Sequence, residues 1–412
     1  MWKDEYKGRS YISLTVHFFD GIGIQYRVVK SDEYDEDDKT GVNMLRWFVR
    51  TMKELMPNNP NYYLCTDSAP NVVSAFKNSK TRFSCIAHSL HLVVTELVSD
   101  LNKSNDKTAE VLSKAIRECK SLATHFNHIK PPQLERTIKN VVATRWNSVL
   151  TMLRSIYSQF DNVKDILEDR QDYDYLDCPK EHLKVWIDFL APIEEISVSL
   201  SSSSLPSLNL VVPKLNLLIK NLVVSKDDDS EFQFLKRRFK LAFNLKVLPK
   251  MEVIHFAVPL MDFRFKSRSY NWVGCKVDTA DGKQLIKQLF DCVNPTETSP
   301  TKKRKINDEL IDSEPEDSDE ENELDLFYSS KISLESFYDD TGNFDLFKCW
   351  DRYKTQFPKV YKLATWLLSV PATSVLSEKN FSDSKWMINS RRANLNPQNV
   401  NDCLVLKSSY GN

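Results

Sequence analysis

The chain opens on a period-two pattern. In "YISLTVHFF" the apolar residues Ile12, Leu14, Val16 and Phe18 alternate with Ser13, Thr15 and His17. Asp20-Gly21 follows, and "IGIQYRVV" then alternates again with Ile22, Ile24, Tyr26 and Val28 in phase. Two alternating runs around such a dipeptide predict an antiparallel hairpin. The acidic stretch 32–38 reads as a loop. Val42, Leu45, Phe48, Val49, Met52 and Leu55 then recur at helical spacing. "NYYLCTD" is a continuous apolar run closed by Asp67, as expected of a strand buried on both faces.

From 147 to 290 the pattern is helical. Val149, Met152, Leu153, Ile156, Tyr157 and Phe160 make one stripe, and Leu183, Trp186, Ile187, Leu190 and Ile193 another. "SSSSLPS" (201–207) is a loop and "PKLNLLIKNLVV" a further amphipathic helix. Residues 293–325 are polar and charge-blocked, with too little apolar surface to order themselves, so they predict a disordered linker. Beyond it, "LFKCWDRYKTQFPKVYKLATWLLSV" reads as two helices and a third begins near Ser374. A last helix starts at Asn396-Pro397, with Asn as cap and Pro in the first turn; Val400, Cys403 and Leu404 share one of its faces.

Hairpin, helix, buried strand ending in Asp, then helix is the order of a ribonuclease-H-like mixed sheet. In that architecture a central strand precedes the hairpin, and the first ten residues leave no room for it. The expected fold is therefore α/β plus all-α. A partial ribonuclease-H-like domain (1–146) is followed by a helical insertion domain (147–292), a basic/acidic linker (293–332) and a helical C-terminal segment completing the core (333–412).

Composition narrows the picture. Glycine is scarce, 8 residues in 412, which favours helix over turn-rich β architecture. No apolar run reaches the ~18 residues of a membrane helix, and "MWKDEYKGRS" is too polar for a signal peptide. The 8 cysteines are scattered without a Cys-x-x-Cys pair, as suits a reducing compartment. The net charge of −1 hides an asymmetry. Residues 302–325 hold four basic and eleven acidic side chains, and the rest of the chain carries +6. A mildly basic body is compatible with nucleic-acid association. Lys302, Lys303, Arg304 and Lys305 read as a nuclear address or, more plainly, as a solvated basic run.

Four motifs carry candidate chemistry. Asp67, just past a buried strand, stands where α/β sheets place ligand groups; it either holds a divalent metal or caps the next helix. Cys85 and His88 form a Cys-x-x-His that is half a zinc site, with His125 and His128 as the other half, or the start of an amphipathic helix. Arg145 and Trp146 pair a cation with a large ring at a helix start, suited to a phosphate and an unstacked base, or to core packing. Glu378 stands in the first turn of a helix, where the dipole favours a carboxylate.

Together these stretches resemble the hAT superfamily of DNA transposases and its domesticated, BED-finger-type descendants. "CTDSAPNVVSAF", "FSCIAHSLHLVV", "ATRWNSVLTML", "PLMDFRFK" and "LSVPATSVLSEKNFS…RRANLNPQNVNDCLVLK" match the family's blocks in order. "SYISLTVHFFD" resembles the strand after the first catalytic residue. The resemblance implies Asp67 and Glu378 as two of three carboxylates holding two divalent ions, Mg²⁺ or Mn²⁺, for DNA cleavage and strand transfer. It implies that Arg145 and Trp146 steady a flipped base. It also implies a homodimer or hetero-oligomer formed through the C-terminal segment, including Val400, Cys403 and Leu404. DNA is an implied partner; a membrane or a small-molecule substrate is not.

The departures set the functional expectation. The family's first Asp stands two residues before a Trp that Trp2 resembles, which places it one residue before Met1. Asp4 and Glu5 lie beyond that Trp. In "FSDSKWMI", Asp383 to Lys385 replace small residues and a Gly. The leading expectation is a transposase-derived nuclear protein, catalytically inactive as it stands and without a cofactor, acting through dimerisation and DNA or chromatin association. The alternatives are an active transposase whose N-terminus is missing from this chain, and a decayed fragment.

Overall fold

The computed structural model describes residues 2–4, 6–34, 40–58, 61–141, 147–293, 322–388 and 394–410. Arg145, Trp146, the basic run 302–305 and most of the expected linker lie outside them, as does residue 5.

The hairpin forms as expected. Strand β1 (Trp2–Lys3) pairs antiparallel with β2 (Ser10–Phe19), which pairs antiparallel with β3 (Ile24–Tyr34) in the order β1-β2-β3. The turn is longer than a two-residue one. Asp20 accepts hydrogen bonds on Oδ1 from the amides of Ile22 and Gly23 at 2.9 Å, and Gly21 takes φ +100°. This side chain–backbone loop holds Ile22 out in solvent, 88% exposed and outside the alternation it was expected to join. Strand β3 also runs through Asp32 and Glu33, expected as loop. The register shifts between Leu14↔Lys30 and Thr15↔Val28, leaving Val29 as the extra residue of a bulge. A bulge moves the following residues to the other face. Val28 packs against Val400 and Leu404, whereas Tyr34 packs with Met44 and Trp47 on the opposite side.

Helix α1 (Gly41–Leu55) covers that opposite face. Its buried residues are Met44, Trp47, Phe48 and Thr51, while Val42, Leu45, Val49 and Leu55 are exposed. The helix is where the spacing put it, but rotated. The Trp47 indole fixes the rotation by donating to Asp32 Oδ2 at 2.8 Å.

A second, parallel pair follows: β4 (Leu64–Thr66) and β5 (Arg82–Ser84), joined through α2 (Pro70–Ala75). All three residues of β4 are half-buried, not buried on both faces as expected. One edge of β4 pairs with β5; among the described residues no strand lies on the other.

The helical body comprises α3 (Ile86–Lys103), α4 (Lys107–Ile129), α5 (Asn147–Tyr157), α6 (Phe160–Asp169) and α7 (Lys180–Leu200). It continues through α8 (Leu208–Asn221), α9 (Ser230–Lys246), α10 (Val253–Ala257) and α11 (Thr279–Val293). The stripes read from sequence are the buried ones: Met152, Leu153, Ile156, Leu183, Trp186 and Leu190 are all inaccessible. The Trp186 indole donates to the Leu112 carbonyl at 3.0 Å, tying α7 to α4.

The C-terminal segment has α12 (Glu323–Ser329), α13 (Leu346–Tyr353), α14 (Pro358–Leu368), α15 (Val375–Met387) and α16 (Pro397–Tyr410). Helix α12 lies inside the stretch expected as linker. Leu324 and Phe327 give it an apolar face, and the Lys266 ammonium donates to the Phe327 and Ser330 carbonyls at 2.5 and 2.7 Å. One apolar core runs from Phe83 through the helical body to Ala372. The architecture is an α-rich mixed fold with two small sheets.

Candidate functional site

A cleft of about 530 Å³ opens between the two sheets. Residues 12–19 of β2 line one wall and residues 64–67 the other, with α1 on one side and α14 and α15 on the other. Asp67 and Glu378, from opposite ends of the chain, both line it.

The Asp67 backbone carbonyl accepts from Arg82 Nη2 at 2.8 Å and from the Thr66 hydroxyl at 2.9 Å. Arg82 Nε also donates to Thr66 Oγ1, so one guanidinium clamps the end of β4. Asp67 Oδ1 accepts from the Ala69 amide at 3.0 Å. This is the capping role in reduced form: the carboxylate braces the turn before α2 rather than the helix amides themselves. Asp67 Oδ2 has no hydrogen-bond partner among the described residues.

Glu378 sits in the first turn of α15, an exposed side chain whose amide donates to the Ser374 carbonyl at 3.3 Å. Its neighbour Ser377 bonds the Thr15 hydroxyl at 3.0 Å, fastening α15 to β2.

Cys85 explains how the two carboxylates come together. It is buried at the N-cap of α3, where its thiol accepts from the His88 amide at 3.4 Å. The same sulfur accepts from the Ser374 amide at 3.3 Å, while the Cys85 amide donates to the Thr66 carbonyl at 2.6 Å. One residue thus joins the strand that carries Asp67 to the turn that launches Glu378. The neighbouring Cys65 thiol and the Ser374 and His88 hydrogen bonds lower the Cys85 thiol below its usual range, against burial. Burial pushes Cys65 well up. His88 is lowered by burial, with the nearby Asp67 charge opposing.

The structure does not bring the two halves of the expected zinc site together. His125 Nε2 bonds Asp172 Oδ2 at 3.1 Å and its ring stacks on Tyr175 at 4.1 Å. Among the described residues no three His, Cys, Asp or Glu side chains converge to hold a metal. Asp4 is taken up elsewhere: both its carboxylate oxygens accept backbone amides, from Tyr6 and Lys7 at 2.9 Å, and build the β1–β2 turn.

Of the residues expected to dimerise, Val400 and Leu404 are buried inside this chain. They pack against Tyr11, Val28 and Ile388. Cys403 is exposed. Sequence reasoning missed Arg82 and Ser374. Nothing local marks either one, because each acts on a residue in another element.

Residues 323–410 match the hAT family C-terminal dimerisation region. The chain is 28% identical to the Transposable element Hobo transposase of Drosophila melanogaster over 58% of this chain and 36% of that protein. It is 24% identical to Zinc finger protein 618 of Mus musculus over 88% and 37%, respectively. It is 21% identical to the Putative AC transposase of Zea mays over 97% and 55%. The chain therefore spans about a third to just over a half of the length of these relatives. By these matches the chain is similar to hAT transposases, and its residues 323–410 resemble their C-terminal dimerisation region.

Proposed function

We propose that the chain is a transposase-derived nuclear protein that assembles through its C-terminal region, associates with DNA, and does not itself cut DNA. The carrying observation is the cleft: among the described residues it gathers two carboxylates, Asp67 and Glu378, where a two-metal reaction needs a fuller ligand set. Both are hard oxygen donors suited to Mg²⁺ or Mn²⁺. Two such groups do not complete the shells of two ions, so no catalytic step is assigned to them. The basic body and the run at 302–305 support the nuclear, DNA-associated reading.

A nicking assay on supercoiled plasmid with Mn²⁺ tests this. The expected result is no cleavage above that of Asp67→Ala or Glu378→Ala. Cleavage that disappears in both variants overturns the reading in favour of an active nuclease. A second reading is that a longer protein containing this chain supplies the remaining ligand and transposes. It is favoured by the convergence of Asp67 and Glu378 from opposite ends of the chain. Its test is the same assay on a chain extended upstream of Met1.

A further inference from the structure

Strands β4 and β5 bring two cysteines together. Parallel pairing sets Cys65 opposite Phe83, and the Cys85 amide carries the ladder further by donating to the Thr66 carbonyl at 2.6 Å. Side chains two residues apart along a strand share a face, so Cys85 lies diagonally across from Cys65. The two thiols meet there, and the Cys65 S–H donates to the Cys85 sulfur.

The two sulfurs differ in their surroundings. Cys65 is half-buried and lines the wall of the cleft beside Asp67, where a small solute reaches it. Cys85 lies behind it and is inaccessible. Its sulfur accepts from three donors: the Cys65 thiol, the His88 amide at 3.4 Å and the Ser374 amide at 3.3 Å. A sulfur ringed by donors is favoured as the anion, the nucleophilic form of cysteine. Cys119 and Cys178 are also neighbours, but they do not line the cleft, and burial raises both thiols.

We propose that Cys65 and Cys85 are a peroxide-responsive dithiol, whose oxidation to a disulfide releases the turn that launches Glu378. The accessible sulfur reacts first. As Cys65 attacks hydrogen peroxide, its proton passes along the S–H···S bond to Cys85. The O–O bond breaks, leaving a sulfenic acid on Cys65 and hydroxide. The Cys85 sulfur then attacks the sulfenic sulfur. The S–S bond forms, the S–O bond breaks, and the departing oxygen takes the Cys85 proton and leaves as water. In sum two thiols and one peroxide become one disulfide and two waters, with two electrons passing to the peroxide. In a reducing compartment, which the scattered cysteines suit, such a bond is transient and sensing rather than structural.

The consequence follows from what Cys85 holds. Its sulfur caps α3 and ties the end of β4 to the first turn of α15. A disulfide sulfur carries no negative charge and must turn toward its partner, so it gives up the His88 and Ser374 amides. Helix α15 keeps the Ser377–Thr15 hydroxyl bond but loses its tie to the Asp67 strand.

The test treats the full chain with hydrogen peroxide, blocks the remaining thiols with N-ethylmaleimide and maps linked peptides by mass spectrometry, with hydrogen exchange measured on the same samples. A Cys65–Cys85 link that dithiothreitol reverses is expected. Exchange in 374–378 is expected to quicken by about fivefold or more, the factor for losing one hydrogen bond. In Cys65→Ala, where no link forms, peroxide is expected to leave exchange in 374–378 unchanged. The exposed Cys292 and Cys403 report that the oxidant acted. Oxidation of those two without the Cys65–Cys85 link, conversion of Cys85 to a sulfinic acid, or a link that leaves 374–378 unaltered overturns the proposal. So does quickened exchange in Cys65→Ala under peroxide.

Discussion

The imidazole of His255 is fully buried, with its ring 5.2 Å from Phe83 in an edge-on contact. Its Nδ1 serves the first turn of α10, accepting from the Glu252 amide at 2.9 Å, while Nε2 is buried without a partner. Burial lowers its pKa to about 4, against a smaller opposing hydrogen bond from Glu252. The unfolded chain takes up this proton near pH 6.5, the folded chain only near 4. Between those values the unfolded state binds more protons, so stability falls as pH falls. The loss is on the order of 3 kcal/mol at most. Thermal midpoints measured from pH 7 to 4 are expected to decline less steeply in His255→Asn, whose amide oxygen replaces Nδ1 as acceptor; an unchanged slope refutes the assignment. Cys85 shows the limit of sequence reading at this scale. Its spacing to His88 was visible, and so was the helix that starts there. The amide that completes its role belongs to Ser374, 289 residues away. No local pattern encodes such a contact, and a ligand reading and a capping reading of Cys-x-x-His look the same on paper.

Helices were legible where one face alone is apolar. α5 and α7 bury the stripes their spacing predicts, because solvent decides the other face. α1 was found but rotated, since apolar residues occupy both its sides and only Trp47 bonding Asp32 settles which side faces the sheet. β4 was read as more buried than it is, because an apolar run does not reveal whether a neighbouring strand is there to cover it. α16 gives the sharpest division. Val400, Leu404 and Ser408 face the sheet, while Cys403, Leu406 (55% exposed) and Tyr410 (84% exposed) face outward. A dimer built on this helix uses the outward face. Leu406→Asp combined with Tyr410→Asp is expected to convert dimer to monomer in sedimentation analysis with the unfolding midpoint nearly unchanged. Leu404→Asp is expected to do something else: it buries a carboxylate against Tyr11 and Val28 and lowers stability by about 3–5 kcal/mol. If the outward pair leaves the oligomeric state unaltered, α16 is not the contact.

At the scale of the whole molecule, the polar stretch before α12 divides the sequence without dividing the core. Phe263 on one side of it packs on Phe327 and Trp350 on the other, at ring distances of 5.4 and 4.6 Å. The Trp350 indole donates to the Met261 carbonyl at 3.0 Å, and the Lys266 ammonium is held by the Phe327 and Ser330 carbonyls. Losing these contacts would strand a buried ammonium and two large rings, a cost well above that of cutting one peptide bond between 294 and 321. Covalent continuity across 294–321 is therefore not what holds the C-terminal segment in place. A specific protease site inserted there and cleaved is expected to leave two fragments that co-elute on size exclusion and part only in denaturant. Lys266→Met in the cleaved protein is expected to let them separate at lower denaturant, because three oxygen acceptors lose their donor. Fragments that separate in plain buffer would mean that the shared core is too weak to join them, and that the chain behaves as two units tied by a linker.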